Sequence, residues 1–123
     1  MQAYQFLKEC GTFWVTTVDK GRPASRPFGA VMERGGELYI SPPPPVYKQL
    51  KTNPAVQLTA IKPGTREWIR IDGEAVETSD LDAKAQMLKD CPRLRRYYSS
   101  PDAEGFALFR IAKSAALACT EEG

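Results

Sequence analysis

The sequence predicts a mainly β domain, a six-stranded antiparallel β-barrel with flanking helices. Three observations predict it. Short runs rich in β-branched and aromatic residues recur along the chain, each bounded by Gly, Pro, Asn or Asp. The longest run, Glu67 to Thr78, sets Ile69, Ile71, Gly73 and Ala75 on one face and Trp68, Arg70, Asp72 and Glu74 on the other. Strands this close in sequence join as antiparallel hairpins, and closing them into a barrel removes exposed edges.

The elements follow in order. Ala3, Phe6, Leu7 and Cys10 fall on one face of a short helix, with Gly11 as its C-cap. Thr12 to Val18 is the first strand, and Asp19-Lys20-Gly21 turns the chain into a second, Arg22 to Glu33. Pro23 and Pro27 leave gaps in its hydrogen-bond ladder, so it lies at an edge or carries a bulge. Gly35-Gly36 is a hairpin turn and Glu37 to Ser41 a third strand. Pro42 to Pro45 form a stiff extended connector, because proline joins neither a sheet ladder nor a helix interior. Pro45 suits the first turn of a helix over Val46 to Thr52, which Asn53-Pro54 ends.

Ala55 to Lys62 is the fourth strand, Pro63-Gly64 a turn, and Glu67 to Thr78 the fifth strand, with Gly73 marking a bend. Ser79 is the expected N-cap of a helix with Asp80 and Asp82 in its first turn and a core stripe of Leu81, Ala85 and Leu88. Pro92 breaks that helix, and Ser99 to Gly105 is a polar loop. Phe106 to Ile111 and Ala115 to Cys119 make the last strand, bulged near Lys113-Ser114.

The 123 residues suit one domain, here residues 1–123, and 42% hydrophobic content suffices for a core without staples. The longest apolar runs are far shorter than a membrane span. The first ten residues lack the layout of a signal peptide, so a cytoplasmic protein without membrane attachment is expected. A net charge of +2 offers no argument for a nucleic-acid partner. Arg93, Arg95 and Arg96, the one dense basic stretch, read as a solvated helix face. Cys10, Cys91 and Cys119 lack CxxC spacing and read as reduced, mostly buried thiols. There is no histidine, which excludes a Ser-His-Asp or Cys-His triad, a His-ligated metal and a His general base. Chemistry must come from a cofactor, or from carboxylates, lysine or tyrosine. No residue stands out as a proton donor, and neither a catalytic residue nor a metal site is assigned.

Four segments carry a further signal: Phe6-Leu-Lys-Glu-Cys-Gly-Thr-Phe13, Arg26-Pro-Phe-Gly-Ala-Val31, Val46-Tyr-Lys-Gln-Leu-Lys-Thr-Asn-Pro54 and Trp68-Ile-Arg-Ile-Asp-Gly-Glu-Ala-Val76. In their order and spacing, from Tyr4 to about Cys119, the chain resembles the pyridoxamine 5′-phosphate oxidase-like FMN-binding split-barrel family. The resemblance implies a split β-barrel that works as a homodimer with FMN at the subunit interface. It also implies a flavin-dependent oxidoreductase acting on a small molecule. By the same resemblance Arg26, Ser41, Lys48 and Gln49 are the candidates to hold the phosphate, and the flavin ring lies along Pro27, Phe28 and Gly29. The loop Pro42 to Pro45 offers no N–H, so side chains must supply the phosphate donors. A non-catalytic module that binds a flavin or another planar ligand, or passes electrons, is the alternative on the same barrel.

The remaining singled-out residues divide as follows. Trp68 either stacks on the cofactor or packs against the partner subunit. Asp72 and Glu74, with Arg70 beside them on the same face, read as a surface charge ladder. Tyr97-Tyr98 beside Arg95-Arg96 suit a ligand rim or a dimer contact. Phe13 and Trp14 are expected in the core.

Overall fold

The computed structural model describes residues 2–119. In chain order the elements are α1 (Gln2–Cys10), β1 (Phe13–Asp19), β2 (Arg22–Phe28), β3 (Met32–Arg34), β4 (Glu37–Ile40), α2 (Pro44–Thr52), β5 (Ala55–Ile61), β6 (Trp68–Thr78), α3 (Leu81–Asp90), a 3-10 turn (Pro92–Arg96) and β7 (Leu108–Cys119). All strand pairs are antiparallel and form one sheet in the order β2-β1-β5-β6-β7-β4-β3.

Seven strands stand where six were expected, because the second one divides. Arg22 to Phe28 pairs with β1, whereas Met32 to Arg34 pairs with β4 at the opposite end of the sheet. Gly29, Ala30 and Val31 carry the chain from one edge to the other. The two edges of the sheet therefore belong to one continuous segment, which holds the curled sheet together as a split barrel. Pro23 and Pro27 sit on β2, an edge strand, where a missing N–H costs no ladder bond.

The barrel interior is filled by Phe13, Val15, Leu38, Ile40, Leu58, Ile71, Phe109 and Ile111, each at most 2% exposed. Leu7 of α1 and Val46 and Leu50 of α2 join the same cluster. A second cluster, Met32, Ala83, Met87, Leu88, Cys91, Phe106 and Leu108, packs α3 against the β3–β7 side. Trp14 corrects an expectation: it is 48% exposed, while Phe13 is fully buried. Strand alternation sends neighbours to opposite faces, and Phe13 and Val15 take the interior.

Helix ends follow local chemistry. Gly11 adopts φ +78°, and its N–H donates to the Leu7 carbonyl at 3.0 Å, which stops α1 where a C-cap glycine was expected. In α2, Pro44 and Pro45 occupy the first two helical positions, one residue pair earlier than expected. In α3 the N-cap is Asp80, not Ser79: its carboxylate accepts from the N–H groups of Asp82 and Ala83 at 2.9 and 3.4 Å. The face that α3 buries is set by its docking on Met32, Phe106 and Leu108. Ala83, Met87 and Leu88 are buried, and of the expected stripe Leu81 is 54% exposed and Ala85 faces outward. Replacing Asp80 by Ala is expected to lower stability by about 1 kcal/mol in urea unfolding; Ser79→Ala should leave the midpoint in place.

Gly73 and Lys113-Ser114 turn out to be one feature. Asp72 pairs with Ala115 and Glu74 with Ala112, so two residues of β7 oppose Gly73 alone. This is a β-bulge with Lys113 at φ +52°. Among the described residues no helix is long and apolar enough to cross a membrane.

Candidate functional site

Of the site residues expected from the sequence, Arg26 to Gly29 lie on or just after β2, Lys48 and Gln49 on α2, Ser41 after β4 and Trp68 on β6. Strand alternation divides those on β2: Arg26 points to the α2 side and Pro27 to the outer face of the sheet.

Arg26 lies opposite Val15 in the β1–β2 register and is partly buried. Its Nη1 donates to the Val15 carbonyl at 3.2 Å and to Thr17 Oγ1 at 2.7 Å, and its Nη2 donates to Gln49 Oε1 at 3.0 Å. Thr17, buried on β1, donates its own hydroxyl proton to Gln49 Oε1 at 2.5 Å. This triangle ties β2, β1 and α2 together. Burial pulls the Arg26 guanidinium below its ordinary value, and the negative charge of Asp19 opposes that shift. A guanidinium has five N–H donors. Three are used, which leaves Nε–H and one Nη2–H, the two that lie side by side along one edge. Such a fork matches two oxygens of a carboxylate or phosphate.

Arg26 and Gln49 are thus brought together as expected, and Thr17 joins them. Thr17 was missed because a threonine in a β-rich run reads as a strand former; its signal was its place opposite Ala24, two residues before Arg26 on the same face. Lys48 is exposed on the next position of α2. Ser41 lies elsewhere: its hydroxyl donates to the Ala107 carbonyl at 2.7 Å, beside a hollow of about 300 Å³ walled by Pro42, Pro44, Tyr47 and Phe106. Phe28 packs on Phe13 with ring centroids 6.1 Å apart. Gly29 is exposed at the mouth of a cavity of about 390 Å³ between α1, the β2–β3 crossing and the end of α3, which also carries Lys8, Cys91 and Arg93. The Cys91 thiol there is pushed up, chiefly by burial, and donates to the Val31 carbonyl at 3.5 Å.

On the outer face the register runs Pro27, Trp14, Thr59, Arg70, Leu117 across four pairings, with Ile61 and Trp68 paired in the next row of that face. Trp14, Ile61 and Leu117 are 48, 56 and 47% exposed. Trp14 and Ile61, with the partly buried Trp68, rim a shallow hollow of about 280 Å³. This apolar patch on a sheet face is the second site element that sequence reasoning missed, because Trp14 was read as core.

A planar ligand laid along the open edge of β2 would meet main-chain groups of Arg26 to Gly29, with the Arg26 side chain on one face of the strand and Pro27, paired with Trp14, on the other. The residues present fit a flavin ring and one anionic contact. The donors on offer to an anion are side-chain groups, namely the free Arg26 N–H groups, the Gln49 amide, whose oxygen is engaged with Thr17 and Arg26, and the exposed Lys48; Pro42 to Pro45 add no N–H, and the proton of Ser41 is engaged with Ala107.

Comparison with known proteins identifies the fold and the family. The family description "Pyridoxamine 5′-phosphate oxidase" matches residues 2–118. A NimC/NimA family protein from Clostridium acetobutylicum superposes with a TM-score of 0.89 at 35% identity, over 98% of this chain and 87% of that one. A pyridoxamine 5′-phosphate oxidase-related, FMN-binding protein from Nostoc punctiforme gives 0.70 at 18% identity, over 92% and 77%. The heme storage protein HutZ from Vibrio cholerae gives 0.73 at 19% identity, over 94% and 91%. No curated protein matches the chain. With a family match over nearly its whole length and the split-barrel sheet that goes with it, the chain belongs to the pyridoxamine 5′-phosphate oxidase family.

Proposed function

We propose that the protein is a flavin-binding homodimer that takes FMN at the subunit interface and acts as a flavin-dependent oxidoreductase on a small molecule. The observation that carries this reading is the Arg26 fork. A partly buried guanidinium on β2 donates three hydrogen bonds to neutral groups and keeps two further N–H donors for a ligand. The exposed patch of Trp14, Ile61, Trp68 and Leu117 supports a second copy as the cover of the outer face. A bound flavin supplies the redox chemistry; this chain orients the ring along β2 and excludes water through the partner's contact.

The visible spectrum of freshly purified protein tests the reading. Flavin bands support it. Heme bands, or colourless protein whose fluorescence is not quenched on titration with FMN, overturn it. Replacing Arg26 by Ala is expected to weaken FMN binding by about 1.5–3 kcal/mol, the worth of a charge-assisted hydrogen bond. Unchanged affinity would remove Arg26 from the site.

One observation favours a carrier over an enzyme. The groups around Arg26 are Thr17 and Gln49, with no carboxylate or thiol within the hydrogen-bonded triangle to move a proton. Tight FMN binding without turnover by reduced nicotinamides or oxygen would select the carrier.

A further inference from the structure

Among the described residues Thr17 is the one polar side chain in the buried set, at 1% exposure. It lies on β1 opposite Ala24 of β2 and Val56 of β5. A buried hydroxyl is costly unless its hydrogen bonds are made. Valine has nearly the same shape and suits a strand as well. Packing alone therefore gives no reason for the hydroxyl, whereas its bonds give one.

Arg26 fixes the polarity of the cluster, because a guanidinium only donates. The Gln49 atom that faces Arg26 Nη2 at 3.0 Å is therefore the amide oxygen. By the same rule Thr17 Oγ1 accepts from Nη1 at 2.7 Å. The hydroxyl proton of Thr17 then goes to the Gln49 oxygen, 2.5 Å away. Two donors fill the two lone pairs of that oxygen and pin the amide. Its NH2 group faces away from the triangle, with both N–H groups free to donate. Arg26 keeps two more. An anion that reaches the pair meets donors and no acceptor, and Thr17 sets that arrangement from inside the barrel.

We propose that Thr17 is a positioning residue of the flavin site: its hydroxyl holds the Gln49 amide with the N–H groups turned outward, beside those of Arg26, to receive the phosphate of FMN. The inference rests on the flavin reading above and adds to it the residue that orients its anion contacts.

Fluorescence titration of the full chain with FMN and with riboflavin tests it. The ratio of the two affinities is the readout, since it cancels losses that the shared ring suffers, and the urea midpoint reports the fold. Wild type should prefer FMN. Gln49→Met removes the amide donors and should lower that preference about 10- to 150-fold, the worth of a hydrogen bond to a charged group. Thr17→Val should lower it about 2- to 12-fold, the worth of one ordinary hydrogen bond. Thr17→Ser keeps the hydroxyl and should keep the preference. In the Gln49→Met background Thr17→Val should change nothing further, because its effect passes through the amide. A packing role predicts the reverse: Val would hold the ratio, and Ser would shift only the midpoint.

A preference untouched by Thr17→Val, one lost in Thr17→Ser, or a Thr17→Val loss that persists in full beside Gln49→Met overturns the inference while flavin binding stands. So does a wild type that binds both flavins alike. Gln49 is only partly buried on α2, so Gln49→Met serves even where Thr17→Val does not fold, and an unchanged preference there overturns the inference by itself. Quenching by neither flavin overturns the flavin reading, and the inference with it.

Discussion

Replacing Gly73 by Ala is expected to lower the stability of the protein by about 3 kcal/mol, the upper end of the usual cost of overpacking. A Cβ at this position would lie 2.6 Å from Ile111 Cγ2 and 2.9 Å from the Ala112 carbonyl oxygen. The first of these atoms is the branch of a side chain 1% exposed in the barrel core, and the second is main chain. Neither can swing away. The backbone of β7 is committed here too, because Lys113 and Ser114 bulge opposite Gly73 with Lys113 at positive φ. Urea unfolding of Gly73→Ala, Ile111→Ala and the double variant measures the effect. Removing Cγ2 of Ile111 relieves one of the two contacts, so the double variant should lose less than the sum of the single losses. Strict additivity, or a single-variant loss under about 1 kcal/mol, would show that the bulge accommodates a side chain.

The second large effect concerns assembly. Trp14→Lys is expected to convert the proposed homodimer to a monomer at micromolar concentration, as read by sedimentation. A tryptophan at the centre of an interface is worth about 2 kcal/mol or more on truncation. In a two-fold interface each substitution occurs twice, so the dimer should weaken by roughly a thousandfold. The fold itself should not suffer, because Trp14 points away from the core and is 48% exposed in the protomer. A lost dimer with a native far-UV spectrum and a cooperative, concentration-independent thermal transition is therefore the signature. A variant that remains dimeric would place the interface elsewhere, and a wild-type monomer would remove the homodimer from the proposal.

Local chemistry was legible in the sequence wherever one residue decides one backbone state. Gly11 ends α1, Pro63-Gly64 turns the chain, and Asn53-Pro54 closes α2, all as read from residue type alone. The alternation of β6 was equally plain, because one face meets a dry core and the other meets water. Capping was harder: Ser79 and Asp80 are both competent N-caps, and the one chosen depends on where β6 lets go of the chain. The buried stripe of α3 was set by its docking on Met32, Phe106 and Leu108.

By itself, the sequence determined the mainly β class, the order of the elements, the absence of histidine chemistry and the proline loop that carries no N–H donors. Those properties reside in side-chain type and short-range periodicity. The tertiary structure alone decided the rest. It split the second strand between the two sheet edges, since that depends on pairing partners distant in sequence. It turned Trp14 outward, because Phe13 and Val15 fill the interior. It joined Gly73 to Lys113 as a single bulge, and it brought Thr17, Arg26 and Gln49 into one triangle from three elements. Each is a contact between residues well separated along the chain, set by strand register and packing rather than by any local preference.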